Sequence, residues 1–395
     1  MKLNLKKYLL YSSVFAIFSE AFFFHFIIDW KLLYFIIFIN YFVILYLNPI
    51  KVNKYFIYLL FLILLHAVLS YTFIQIPFNY FISQLLGIAV VGIYFYNLIK
   101  ILDLDTVIKT YVNFSFVVVF IGYVLFFIGY NPFSHFDGDP RLMSVLKEPA
   151  HYVVVIIPAC YYFLKNKNYL KFFITFISIL MSTSSLGIIG CSLMFVLPYL
   201  NLKKFLVFLA LLPVFSFLFI QTYNNFEPFK LRVDDTYESI KSIKSGKFKE
   251  ETNWSSHALI SNLFVLNKNI SNHPFGSGIG SHFYMFTEEY GKAMRAPQYL
   301  IVQDLDKSNA TDANSLFTRM VSELGILGII IILWSVYYLR YTFTSNQLLF
   351  SQGIAIYLIL KLIRDGHYFP PELYFFIWIM FFEIQRFKNL PNKDE

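Results

Sequence analysis

Asp312-Ala313-Asn314-Ser315-Leu316-Phe317-Thr318-Arg319 closes one long polar interruption in this chain, and Leu324-Gly325-Ile326-Leu327-Gly328 returns it to apolar sequence. The interruption covers 224–313, and nearly everything on either side is a succession of apolar runs. Of the 395 residues, 58% are hydrophobic, 21% aromatic and only 14% charged, with a mean hydropathy of +0.60. Globular chains carry about 25% charged residues. The balance predicts an all-α polytopic membrane protein. A transmembrane β-barrel would show alternating hydrophobicity instead of continuous apolar runs.

A spanning helix needs about 20 apolar residues. On that scale the sequence predicts about twelve spans: 8–28, 32–47, 55–73, 78–99, 111–130, 150–164, two short spans within 169–200, 205–220, 315–338, 348–363 and 373–382. The run 169–200 is too long for one span, and Ser182-Thr183-Ser184-Ser185 is its natural break. Pro149 suits a helix start, so the sixth span is expected to include Lys147, Glu148 and Pro149 in its first turn. The whole chain, 1–395, reads as one membrane-embedded helical bundle with 224–313 inserted between spans nine and ten as a large loop.

The net charge is +8, but the basic residues sit in short tracts between apolar runs, which is no nucleic-acid signature. With twelve spans, Lys2, Lys6, Lys7, Lys51, Lys54, Lys100, Lys203, Lys204 and Arg386 fall on one side and few cations on the other. The positive-inside tendency then puts both termini in the cytoplasm and the large loop outside. The expected location is the cytoplasmic (inner) membrane, multi-pass. Cys160 and Cys191 both lie in apolar runs and read as small buried hydrophobes.

Four groups of residues could carry chemistry. Asp137, Asp139, Arg141, Lys147, Glu148 and His151 cluster before the sixth span. They are either a solvated loop or an anion site, in which Arg141 grips phosphate oxygens as a fork and Glu148 orients the ligand or acts as a base. Gly276, Gly278 and Gly280 are either a tight turn or a close backbone approach to a ligand's phosphate or sugar. Asn314 stands at or near the cap of span ten. Four residues apart on that span, Arg319 and Glu323 either pair with each other or present Arg319 to a phosphate with Glu323 holding it. Arg364 and His367 lie in the connector between spans eleven and twelve, where Arg364 could equally snorkel to the interface. Arg295 lies in the large loop. The loop histidines match no metal-site spacing, and no cofactor or metal is implied. Arginines reaching the outer side from three places are unexpected on charge bias. They suggest an anionic extracytoplasmic ligand such as a lipid-linked diphosphate.

Three ordered stretches resemble the O-antigen polymerase (Wzy-type) family and its relative, the O-antigen ligase family. They are Arg141-Leu142-Met143-Ser144-Val145-Leu146-Lys147-Glu148-Pro149, Asn272-His273-Pro274-Phe275-Gly276-Ser277-Gly278-Ile279-Gly280, and Asn314-Ser315-Leu316 with Glu323-Leu324-Gly325-Ile326-Leu327-Gly328. Ligases usually place a histidine before the loop-ending asparagine, where this chain has Ala313, which favours the polymerase side. The resemblance implies a membrane glycosyltransferase of O-antigen or capsule-type polysaccharide synthesis. Its substrate would be a polyprenyl-diphosphate-linked oligosaccharide, and its partners membrane lipid and a chain-length regulator protein. Arg141, Glu148 and Arg319 would be catalytic; Arg295, Arg364, His367, Asn314, Gly276, Gly278 and Gly280 would bind substrate. A ligase is the alternative within the resemblance. A polysaccharide or lipid transporter is the alternative outside it, although no internal repeat supports one.

Overall fold

The computed structural model describes residues 4–26, 28–131, 141–199 and 227–389, with a few positions between 213 and 225. Asp137, Asp139 and most of 205–220 lie outside the described residues. The architecture is helical, and five stretches are long and apolar enough to cross a membrane: Lys54–Ile74, Asn79–Ile101, Leu104–Ile128, Leu316–Thr344 and Asn346–Ile363.

In chain order the main elements are α1 (Leu5–Ile17), a hairpin of β1 (Phe23–Phe26) and β2 (Ile28–Lys31), α2 (Leu32–Leu47), α3 (Lys54–Ile74), α4 (Asn79–Ile101), α5 (Leu104–Ile128), α6 (Pro149–Lys165), α7 (Tyr169–Met181) and α8 (Ser185–Val196). After these come α9 (Glu227–Ile240), α10 (Trp254–Asn272), α11 (Leu316–Leu339), α12 (Leu349–Ile363) and α13 (Pro371–Lys388). The polar interruption is therefore largely helical itself, and the long segment from α10 to α11 carries further short helices such as Gln298–Val302.

Most helix ends follow from local chemistry. Asn53 caps α3, its side chain accepting the N–H groups of Tyr55 and Phe56, and Asp103 caps α5 through Thr106. Between α7 and α8 the chain breaks at 182–184, where Ser182 Oγ folds back onto the Ile179 carbonyl at 2.6 Å and Thr183 has a left-handed φ of 49°.

Two boundaries differ from the sequence expectation, and a third falls within it. The first apolar run is not one helix: α1 ends at Ile17, and the chain turns at Glu20 into an antiparallel hairpin pairing Phe23 with Lys31. An apolar run rich in Phe and Ile satisfies a strand as readily as a helix, and periodicity does not separate the two. Glu148 is the cap of α6 and not part of its first turn, which starts at Pro149. Asn314 lies next to the cap of α11, as expected: the cap is Ser315, its side chain accepting the Thr318 N–H at 3.0 Å, while Asn314 holds a left-handed φ of 60°.

The core is centred on α6, which packs against α7, α8 and α12. A Cβ on Gly353 would lie 3.0 Å from the Pro158 backbone, so α12 and α6 approach closely where a small residue faces a proline-containing turn. Around them Tyr111, Phe350, Phe375, Phe376 and Tyr357 form a contiguous aromatic cluster. Some buried hydroxyls are paired between helices, as where Tyr161 donates to Gln352 at 2.5 Å.

Candidate functional site: a cavity at the helix ends

One end of the bundle contains a cavity of about 1750 Å³ whose lining includes Arg141, Glu148, Asn314 and Arg364. These four residues come from three separate parts of the sequence, and each is set by its own segment. The stretch from Arg141 to Glu148 is pinned onto α5: Ser144 Oγ donates to the Val118 carbonyl at 2.6 Å, and Asn131 donates to the Ser144 carbonyl at 3.1 Å. Leu142, Met143 and Leu146 are buried beneath it, and the Leu142 N–H reaches the Met181 carbonyl at 3.3 Å. Arg364 ends α12 in an extended conformation, its N–H still on the Leu360 carbonyl. Next to it, the Asp365 N–H donates to the Asn314 carbonyl at 3.1 Å, which couples the connector to the start of α11. Among the described residues, neither Arg141 nor Arg364 has an ion-pair partner. The inner walls are apolar, with Leu125 and Phe126 from α5 and Leu186 and Ile189 from α8, while Thr183, Ser184 and Ser185 line the break before α8.

Arg319 belongs to a different place. It is 2% exposed, and its guanidinium is engaged inside the protein. Nε meets Glu323 Oε1 at 3.1 Å, Nη1 donates to the Gly366 carbonyl at 3.1 Å, and the plane lies 4.4 Å from the centre of the Tyr368 ring. The expected phosphate role does not suit a buried arginine already paired in this way. Arg319 instead joins α11 to the 364–368 connector.

Glu323, fully buried, is the hub of that joint. Besides Arg319 it accepts the N–H groups of Gly280 at 2.7 Å and His282 at 3.3 Å. Two residues later α11 leaves helical geometry at Gly325 (φ 56°, ψ −134°). Backbone groups freed by such a break in an apolar environment must find other partners, and the glycine segment supplies them. Gly278 N–H donates to the Glu323 carbonyl at 2.7 Å, and Ile326 N–H donates to the Pro274 carbonyl at 3.0 Å. From α3, His66 Nε2 contacts the Phe275 carbonyl at 2.7 Å and Tyr71 donates to the Ile279 carbonyl at 2.9 Å.

This geometry corrects the ligand role expected of Gly276, Gly278 and Gly280. All three have positive φ, and a Cβ at each would meet protein: the Glu323 carbonyl at 2.4 Å, the Tyr71 ring at 2.6 Å and the Tyr80 carbonyl at 2.3 Å. The close approach they permit is to α11, α3 and α4. Arg295 is exposed in the loop, bridged through its backbone to Lys247, and does not line the cavity.

Beneath the connector lies a second polar cluster. His151 Nδ1 contacts both Glu20 oxygens at 2.8 and 2.9 Å, and Lys361 Nζ contacts Asp365 Oδ2 at 2.5 Å, with both members of that pair buried. Burial would push the Glu20 carboxyl up, but His151 and then Lys31 override it and hold it down to about 2. Burial acts the same way on Asp365, and Lys361 leads the charges that bring it below the usual carboxylate range. Asp312, Asp365 and His367 bring ligand atoms within 4.8 Å of one another, a spacing a metal ion could use. The Lys361 ammonium already neutralises Asp365, however, and Asp312 accepts the N–H groups of Asn314 and Gly366. The partially exposed His367 faces a small cavity of about 50 Å³ shared with Glu20, Lys31 and Glu372, apart from the large one. Glu148 and His151, one turn apart on α6, thus face different cavities.

Sequence reasoning passed over Glu20, whose only signal was a carboxylate inside an apolar run. It also passed over the inward wall of α9 and α10. His282 is wholly internal as well: Nε2 meets Asn262 Oδ1 at 3.0 Å and Nδ1 meets Ser322 Oγ at 2.9 Å. Burial, reinforced by Arg319, holds it down to about 3, so it is a neutral hydrogen-bonding link.

No protein-family model matches this chain, and no curated protein does. The chemistry is therefore read from the site alone. Two guanidinium groups without an ion-pair partner among the described residues, a carboxylate at a helix start and apolar walls between helices suit an anionic head on a hydrophobic tail. The lining also includes Asp234, Asp235, Glu238 and Glu251, so the cavity is not apolar throughout.

Proposed function

We propose that this protein is a membrane glycosyltransferase that polymerises lipid-linked oligosaccharide repeat units. The observation that carries the reading is the large cavity, which gathers Arg141, Arg364 and Glu148 from distant parts of the chain against apolar helix walls. In this reading the chain crosses the cytoplasmic membrane about twelve times, with both termini cytoplasmic and 224–313 outside. The product is a surface polysaccharide of the O-antigen or capsule type.

The reaction asks for two things. A hydroxyl at the non-reducing end of a new lipid-linked repeat attacks the anomeric carbon of the growing chain, and the bond from that carbon to the polyprenyl diphosphate breaks. The leaving diphosphate takes up negative charge, which Arg141 and Arg364 stabilise through forked hydrogen bonds. The acceptor's proton goes to Glu148, the carboxylate lining the same cavity. Arg319 and Glu323 act through the fold, holding Gly366 and the glycine segment in place.

The test is the glycan ladder of cells in which the chromosomal gene carries Arg141→Lys or Arg141→Ala. Both are expected to lose long chains at normal protein level, because lysine keeps the charge but lacks the fork. Normal chain length in Arg141→Ala would remove the assignment. Long chains left on the lipid carrier would point to a ligase, which moves finished glycan to a lipid or protein acceptor.

A further inference from the structure

Asn309 and Asn314 both line the large cavity, and each holds a left-handed backbone, φ 57° and φ 60°. Asparagine tolerates that conformation better than most residues with a Cβ, which accounts for each of the two taken singly. It does not account for the bond between them, in which Asn309 Nδ2 donates to Asn314 Oδ1 at 3.0 Å. Asn314 is 2% exposed, and almost every polar group it carries is used. Its N–H donates to Asp312 Oδ1 at 3.1 Å and to the Asn309 carbonyl at 3.0 Å. Its carbonyl accepts the Asp365 N–H at 3.1 Å, and its Oδ1 accepts from Asn309. What is left is Nδ2.

Among the described residues, nothing bonds to Asn314 Nδ2 or to Asn309 Oδ1. Neither atom is closed off, and both residues line the cavity. Polar groups on so buried a side chain are almost always paired, so the open amide of Asn314 marks a place that a ligand group would complete. Two carboxamides joined by one hydrogen bond leave one amide nitrogen and one oxygen free, whichever way round the pair is set. The complement is a group that accepts and donates through one atom. A hydroxyl does both, whereas a phosphate oxygen or a carboxylate only accepts and an ammonium only donates.

We infer that Asn309 and Asn314 form a subsite that reads one hydroxyl of the sugar next to the diphosphate. The inference rests on the polymerase reading for what enters the cavity, and it adds which group of the sugar is recognised. The place follows from the Asp365 bond, which ties Asn314 to the residue after Arg364, a guanidinium assigned to the diphosphate. Asn314 Nδ2 donates to the hydroxyl oxygen, and the hydroxyl proton is donated to Asn309 Oδ1. Asn309 also positions its partner, because its bond to Asn314 Oδ1 sets which end of that amide stays open. A site built to bond a hydroxyl rejects a sugar that lacks it, since the site's own polar groups are then left unpaired.

The experiment uses the full-length protein in lipid nanodiscs. Binding is measured for farnesyl diphosphate and for farnesyl diphosphate carrying glucose, galactose, N-acetylglucosamine or N-acetylgalactosamine. Single-deoxy forms of the tightest sugar-bearing probe follow. At least one sugar-bearing probe is expected to bind more tightly than farnesyl diphosphate, and loss of one particular hydroxyl should weaken it about tenfold or more. Asn309→Gly and Asn314→Gly leave the left-handed backbone accessible. Each should weaken the hydroxyl-bearing probe by a similar factor and leave farnesyl diphosphate unchanged. In each, the deoxy form should bind as well as its parent, a result that a purely structural role would not give. Should the glycine variants not fold, Asn309→Asp takes their place. It keeps the shape, but an amide bonded to a carboxylate leaves two oxygens and no donor, so the discrimination should again be lost. The subsite is overturned if no sugar-bearing probe gains over farnesyl diphosphate, if no single hydroxyl matters, or if a folded variant discriminates as wild type does. Equal weakening of bare farnesyl diphosphate overturns it too, since the pair would then hold the diphosphate. The polymerase reading is tested separately. Equal binding of farnesyl diphosphate to wild type and to the R141A/R364A variant would sink the diphosphate role and leave the hydroxyl discrimination standing.

Discussion

The carboxylate of Glu323 accepts the backbone N–H of Gly280 at 2.7 Å, across 43 residues of sequence and at the point where α11 breaks. This bond fixes the glycine segment as part of the bundle. Two of the stretches singled out in the sequence, one rich in glycine and one reading Glu-Leu-Gly, are therefore halves of a single joint.

Gly276→Ala and Gly280→Ala should each destabilise the protein. A left-handed backbone costs about 1–2 kcal/mol for a residue with a Cβ, and forcing atoms into filled space costs about 1–3 kcal/mol more. The new methyl at 276 would stand 2.4 Å from the Glu323 carbonyl and the one at 280 would stand 2.3 Å from that of Tyr80. A lower melting temperature of the purified protein checks this. An unchanged one would mean that the segment is not seated in the break of α11.

Glu323→Gln should be worse than its small change in shape suggests. It leaves the Arg319 guanidinium charged, 2% exposed and without its counter-charge. Breaking a buried pair from one side costs about 3–5 kcal/mol. Adding Arg319→Met should restore part of the loss, so the double variant is expected to be more stable than the sum of the two single changes. Additive losses would argue against the pairing.

Gly366→Ala tests the other side of the same joint. A Cβ there would lie 1.8 Å from the Asp312 carbonyl, and the Gly366 carbonyl accepts from Arg319. The connector must then shift and carry Arg364 out of the cavity. We expect both a lower melting temperature and a loss of long glycan chains, read from stability and the cellular ladder together. A full-length ladder would separate the connector from the site.

Stability should fall as the medium is acidified. The buried His282 is held down to about 3 and His257, also by burial, to about 4, from an ordinary 6.5. Below pH 6.5 the unfolded chain takes up these protons and the folded chain does not, so the stability these two groups contribute is lost as pH falls through that window. Melting temperatures from pH 8 to pH 4 measure the slope. His282→Gln should flatten it between pH 6.5 and about 3, and a slope untouched by that variant and by His257→Gln would place the acid sensitivity elsewhere.

Glu148→Gln removes a base without changing its size. With Glu148 as proton acceptor, polymerisation by the purified protein should slow by about 10²–10⁴-fold, with the melting temperature unchanged because the side chain makes no cap bond to α6. Retained activity would assign the proton to another group in the cavity.

How much of this was legible beforehand depends on the range of the interaction. The helical class was legible, because most of the long apolar runs leave the backbone no partner but itself and so favour helices, the hairpin at Phe23–Lys31 being the exception. The break at 182–184 was legible from four consecutive hydroxyl residues, and the Arg319–Glu323 pair from its spacing of four. Arg141 with Glu148, and Arg141, Arg319 and Arg364 as arginines converging on one side, were suspected as a site from the sequence, with Asn314 placed at or near a helix cap. The tertiary structure alone decided that Arg141, Glu148, Asn314 and Arg364 share one cavity while Arg319 does not. Gly366 and Tyr368 enclose Arg319 from a connector more than forty residues away. It also decided that Glu20 meets His151 across 131 residues, and that the three glycines face helices and not a ligand. Local sequence fixes which groups a segment carries and where its helices can end. Whether a charge is free or engaged depends on what the folded chain brings opposite it, since burial and an opposing partner determine its energy.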